Sequence, residues 1–213
     1  MTLYLNGSKI KENSSYGLRF NGSNIIKAYF NGSLVYQYQS YAPSTLLTTI
    51  TNNNTYNVTL PIGVYQLHIT GGGGGYANWG AGGYPWAAGG GSAATWEGTF
   101  YNPTSQNITL YAGAAEADSY MNLGGTRMIT AGRGGHAGVD SGGAAGTLTV
   151  GSTLDIVSTS KSTNGNRGPG TTFGWSQTGA ASTSSNGWGG GTVLQSGNVQ
   201  YGGAKLWYIR YSK

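Results

Sequence analysis

Glu116 and Asp118, in the stretch AGAAEADSY, are the one close pair of carboxylates in this chain, and they set the first chemical question. On a strand, residues two apart share a face, and a pair of acids on one face is what a glycosidase or polysaccharide lyase uses as general acid and base. The remaining acids and bases able to assist are Glu12, Glu97, Asp140, Asp155, His68 and His136. No third group accompanies the pair in sequence, and acids two apart are common on solvated loops, so the sequence is read as that of a non-enzyme. A calcium site asks for several oxygen ligands, which only residues 116 to 118 approach, and His136 in GRGGHAG has no companion that would make a metal centre. No metal and no cofactor is expected.

Around these residues the composition is unusual. Charged residues make up 8% of the chain, against about a quarter in ordinary soluble domains, so solubility rests on Asn, Ser, Thr, Gln and backbone. Glycine occurs 40 times with only 5 prolines and no sustained G-X-Y register, which argues against collagen. The 16 tyrosines and 6 tryptophans argue equally against a disordered low-complexity chain. The net charge of +5 comes from 11 scattered Lys and Arg without a run, so nucleic acid is not an expected partner. Cysteine is absent, so the chain holds no disulfide framework. The N-terminus lacks the pattern of a signal peptide, and no apolar run reaches the ~20 residues of a membrane span. Synthesis in a cytosol and release by assembly or lysis is the expectation, with no membrane insertion.

The elements that position these residues read as strands. YLNGSKI, RFNGSNI and YFNGSLV each set Asn-Gly between apolar residues, the signature of a type I′ hairpin, so residues 1–41 form a small hairpin module. The same triplets, with Asn13, Asn53, Asn57 and Asn107, fit the N-glycosylation pattern, for which the turn is the simpler explanation. Residues 41–57 read as a polar connector, and a second domain spans 42–213. In it VTLPIGVYQLHIT alternates Tyr65, Leu67 and Ile69 against Gln66, His68 and Thr70. GTFYNPTSQNITLYAGAA gives two strands, TRMITAGRGGHAG one, TLTVGSTLDIV a hairpin turning at Gly151-Ser152, and AKLWYIRYSK a central strand covered on both sides, with Trp207 and Tyr208 in the core. No segment has trustworthy helical periodicity. The fold class is mainly β with essentially no α-helix: a hairpin module, then a glycine-rich β-sandwich-like domain.

Glycine runs interrupt these strands. Without Cβ, such runs can approach one another as packed polyglycine II helices, or they can be long loops of the sandwich; glycine alone does not separate the two. Period three marks the helical reading: Gly132, Gly135 and Gly138 share one frame, and Gly71, Gly74, Gly80, Gly83 and Gly89 another. The inserts between them, including YANWGAGGYPW, TTFGWSQTGAASTSSNGW and LQSGNVQY, have the Tyr, Trp, Ser, Asn and Gly composition of binding loops. Tyr76, Trp79, Tyr84, Trp86, Phe173, Trp175 and Trp188 are accordingly the candidate binding residues, and Trp96 a candidate for the core.

IIKAYFNGSLVYQY resembles the short β-repeats at the starts of many phage tail structural proteins. From YQLHITGGGGGY through AGRGGHAG to GGAKLWYIRYSK the chain resembles the glycine-rich tip proteins of phage tail fibres, including the distal adhesins of T-even-like phages. That resemblance implies an N-terminal module that attaches to other fibre subunits, a polyglycine II stack, and loops that recognise a bacterial surface glycan or outer-membrane protein. It implies a virion component, as a homo-oligomer such as a trimer or as a cap on a trimeric fibre, exposed outside the cell. The scaffold glycines it matches include Gly71, Gly74, Gly89, Gly132, Gly135, Gly189 and Gly190, to which the period-three frame adds Gly138. A purely structural virion component, in fibre assembly or capsid decoration, is the alternative. Ice binding would ask for flat arrays of Thr or Ala in place of irregular Tyr and Trp.

Overall fold

The computed structural model describes residues 44–77, 87–138, 141–170, 188–190 and 200–210 in full, and the backbone alone of several further strands. In the first segment these are β1 (Tyr4–Leu5), β2 (Ser8–Lys9), β3 (Glu12–Asn13), β4 (Gly17–Phe20), β5 (Ser23–Asn24), β6 (Lys27–Phe30) and β7 (Ser33–Gln37). Leu5 pairs with Ser8, Phe20 with Ser23 and Phe30 with Ser33, so antiparallel pairing flanks each Asn-Gly of the sequence, the Asn-Gly residues themselves lying outside the described residues.

Two five-stranded antiparallel sheets follow. The first runs in the order β18 (Ile156–Thr163), β13 (Thr95–Asn102), β10 (Gly63–Thr70), β20 (Gly203–Arg210), β8 (Thr45–Thr51). The second runs β17 (Leu148–Val150), β16 (Thr126–Ala131), β15 (Ser119–Leu123), β14 (Gln106–Ala112), β9 (Asn54–Leu60). Alternation of apolar residues along each strand turns one face inward, and a single cluster joins Tyr65, Leu67, Ile69, Trp96, Phe100 and Leu206 of the first sheet to Ile108, Leu110, Met121 and Ile129 of the second. Burying each of these larger side chains contributes about 1.5–3 kcal/mol. Tyr65 stacks on Phe100 at 5.8 Å between centroids and meets Tyr208 edge-on at 5.6 Å.

Asn102 ties the end of this core together. Its amide donates to the carbonyls of Leu60 and Pro61 at 3.1 and 2.8 Å, and its oxygen accepts from Gln106 at 2.7 Å. Asn102 is fully buried, so Asn102→Ala strands three polar partners. Urea denaturation should show a loss of about 2 kcal/mol.

Three sequence expectations are corrected. The supposed connector contains β8 and β9, edge strands whose Thr-rich sequence suits a half-exposed position; Asn52 and Asn53, at φ 53° and 59°, turn the chain from one sheet to the other. The Gly151-Ser152 turn closes no hairpin: β17 pairs with β16 and β18 with β13, because buried Leu154 draws the link across the core. In β20 only one face is buried: Leu206 and Tyr208 point inward while Trp207 lies half-exposed on the outer face, its ring 4.8 Å from that of His68.

At one end of the sandwich the strands of both sheets run on into glycine segments: 71–75, 89–94, 113–118, 132–138, 142–147, 164–169 and 200–202. Their hydrogen bonds leave the segment. Gly71, Gly72 and Gly73 donate to Ala94, Ala117 and Gln200, three different neighbours, and Gly74 returns to the first, at Gly91. Gly132, Gly135 and Gly138 donate to Thr147, Ala144 and Ser141 of one antiparallel neighbour; Gly134 and Ala137 donate to Gly72 and Gly75 of a parallel one. A direction that recurs every third residue means three residues per turn. With bonds between segments of the one chain and none of these donating glycines at positive φ, that is the hydrogen-bond pattern a polyglycine II packing would make. Burial follows the same period: Ala131, Gly134 and Ala137 are buried, while Arg133 and His136 are exposed. The sandwich and the glycine helices are therefore consecutive parts of the same chain.

Segment 89–94 is the axis of this lattice. It donates to 164–169 through Gly89 and Ser92, to 132–138 through Gly91 and Ala94, and to Gly189 through Ala93, while accepting from 71–75 and 142–147. A Cβ on Gly74 would fall on the carbonyl of Gly135, one on Gly90 on that of Gly74, and one on Gly134 on that of Gly91, so close approach excludes side chains there.

Candidate functional site

The chain leaves the lattice at Gly75 and re-enters it at Gly89, both on the side away from the sandwich. Between them stand β11 (Ala77–Ala81) and β12 (Tyr84–Ala88), which with β19 (Thr172–Phe173) form a three-stranded antiparallel sheet. Trp79 pairs with Trp86, Trp86 with Phe173, and Ala81 with Tyr84. Paired positions share a face and neighbouring strands lie about 4.8 Å apart, so positions 79, 84, 86 and 173 fall on one face of this small sheet. Half-buried Tyr76 stands at its root.

Four of the seven aromatic candidates are thus brought together, in strands where the sequence suggested loops. Trp188 is elsewhere: it is half-buried on the outer face of the first sheet, where its ring takes the space a Cβ on Gly203 would need, and the Lys205 ammonium lies 5.6 Å from its centroid. Trp175 lies outside the described residues. Of the scaffold glycines, Gly71, Gly74, Gly89, Gly132, Gly135 and Gly138 donate in the lattice, Gly189 accepts from Ala93, and the Gly190 carbonyl sits against Gly73.

Glu116 and Asp118 lie at the same end of the lattice, Glu116 within a turn. Glu116 Oε1 accepts the Gly75 N–H at 2.6 Å and lies 2.6 Å from His136 Nδ1; Asp118 Oδ1 accepts the Arg133 N–H at 2.9 Å. Burial works against ionisation of Glu116, but the hydrogen bonds from His136 and Gly75 and the charge of Arg133 outweigh it, holding the carboxyl below its ordinary 4.5. Both acids are engaged as acceptors for backbone N–H groups. Among the described residues no cluster of three or more His, Asp or Glu could hold a metal ion.

No protein family, curated protein or solved structure matches this chain.

Sequence reading missed one further group. On the outer face of the first sheet the register sets Lys161, Glu97, His68 and Lys205 in one row across four strands, with Gln66 Nε2 2.9 Å from His68 Nε2. The alternation in YQLHIT signals that His68 faces outward, but its neighbours come from strands 29 and 137 residues away (97 − 68 and 205 − 68). Burial pushes the His68 pKa below its ordinary 6.5; Glu97 opposes this and Lys205 adds to it. The folded protein then favours neutral His68, so acidification below pH 6.5 should lower the melting temperature, and His68→Gln should flatten that part of the profile.

Proposed function

We propose that this protein is the receptor-binding component of a phage tail fibre, adhering without enzymatic action to a bacterial surface glycan or outer-membrane protein. The observation that supports this reading best is the row Trp79, Trp86 and Phe173, joined by Tyr84, on a small sheet at the end of the glycine lattice remote from the sandwich. Aromatic residues carry much of the energy in recognition surfaces, and a backbone-packed support lowers the ordering cost of whatever it displays. The Asn-Gly hairpins of residues 1–41 form the device that joins other fibre subunits, as a trimer or as a cap on one, and the protein works on the virion, outside the host that made it. Several copies on a particle raise adhesion through effective concentration, so each site can be weak.

The test is adsorption of the labelled protein to a panel of candidate host strains. Saturable binding to particular strains is expected. Absence of binding to every strain, with normal incorporation into particles, would move the assignment to a purely structural component.

A further inference from the structure

In the lattice each N–H points to a neighbour fixed by its place in the three-residue repeat, and segment 71–75 reaches the end of one neighbour too soon. Gly72 donates to Ala117 at 2.8 Å; three residues later Gly75 faces the same segment, which has already reversed, Ala117 N–H donating back to Ala114 at 3.2 Å. No backbone carbonyl of that segment meets Gly75, and Glu116 Oε1 takes the place of one at 2.6 Å. Arg133 closes the other side, its guanidinium donating to the Glu116 carbonyl at 2.9 Å while its own N–H is held by Asp118. Glu116 N–H donates to Gly73 at 3.0 Å.

The backbone adds an independent observation. Glu116 has φ 58°, the left-handed region, where a residue with Cβ costs about 1–2 kcal/mol over glycine. A chain with 40 glycines has a long-side-chain carboxylate at the one place in this turn where glycine fits best. The strain is understandable when the carboxylate itself is required.

We infer that Glu116 is a positioning residue for the display sheet: its carboxylate substitutes for a missing lattice carbonyl and, oriented by His136, fixes Gly75 immediately before Tyr76 and β11. The consequence for adhesion rests on the proposed function above; the clasp itself does not. His136, at 58% side-chain exposure, and Glu116, at 40%, are reachable by water, so the clasp opens locally without unfolding the sandwich. Arg133, Asp118 and His136 are the charged or titratable groups that face it.

Hydrogen exchange of the whole chain tests this without any receptor. In Glu116→Ala the amides of Gly75 and Tyr76 should exchange about tenfold faster or more, with β10 and β14 unchanged. Glu116→Gln, which keeps an oxygen acceptor, should restore protection to within about threefold. Glu116→Gly, which removes the φ strain with the carboxylate, should fold at least as stably as the parent yet release Gly75 in the same way. In the parent, acidification through the depressed range of Glu116 should lower the protection of Gly75 relative to its intrinsic rate at each pH, and Glu116→Gln should not respond. Unchanged protection in Glu116→Ala and Glu116→Gly, loss spread evenly over the sandwich, or failure of Glu116→Gln to restore protection would each overturn the inference. Full adsorption by a Glu116→Gly protein with a released Gly75 would separate the clasp from adhesion and overturn the positioning role alone.

Discussion

Gly91→Ala should cost about 3 kcal/mol or more and lower the melting temperature by about 10 °C. A Cβ there would fall on the Ala144 carbonyl oxygen, with the Ala144 carbon at 2.7 Å and the Gly143 oxygen at 2.8 Å. The clash cannot relax by moving a side chain, since every atom it meets is backbone. Nor can segment 89–94 step aside: Gly91 donates to Gly135 at 3.1 Å and accepts from Gly74 at 2.8 Å. Gly170 is the matched control, because a Cβ there meets nothing within 4 Å and its φ lies outside the left-handed region. Gly170→Ala should be neutral or stabilising by a few tenths to about 1 kcal/mol, through the unfolded chain. Differential scanning calorimetry of the two proteins decides the matter; equal, small shifts would mean that the glycine runs behave as loops.

Trp79→Ala combined with Trp86→Ala should reduce adsorption to a susceptible host by about a hundredfold or more, while leaving the melting temperature within about 2 °C of the parent. The two positions face each other across β11 and β12, and Phe173 extends the row, so removing both takes the middle out of one continuous face. Large aromatic contacts at the centre of an interface are worth about 2–4 kcal/mol each when truncated. The small sheet hangs from Gly75 and Gly89, whose lattice bonds do not depend on either ring, so its loss of packing stays local. Binding curves and melting curves on the same preparation separate the outcomes. A parallel fall in both would make these rings part of the internal packing and remove them from the binding surface.

Local physics was legible in the sequence, and long-range pairing was not. The strand pairing on either side of each Asn-Gly could be read because the signal is local to a few residues, and Tyr65, Leu67 and Ile69 because alternation is written into one strand. The frame of Gly132, Gly135 and Gly138 survives intact as a ladder to one neighbour. The frame drawn through Gly71 to Gly89 does not, since Gly80 falls inside β11 opposite Pro85, where the chain has left the lattice. Edge strands β8 and β9 escaped notice because polar, β-branched residues look the same in a connector as at a sheet margin. Trp207 was misplaced because a run of apolar residues does not reveal which face is covered. The role of Glu116 could not be read at all: its need arises where segments around residues 73, 116 and 133 meet, and no local signal marks the missing carbonyl.

The three-residue repeat also governs how this domain can change over generations. Adding one residue inside 89–94 would rotate every later N–H by about 120° and point it at the wrong neighbour, and two would do no better; only an insertion of three leaves the directions intact. Between Gly75 and Gly89 no such rule applies, because that excursion begins and ends outside the lattice and can differ in length without disturbing it. Gene-level insertions and deletions are thus filtered by two different rules: multiples of three inside the lattice, and in the excursion only changes that keep the pairing of β11, β12 and β19.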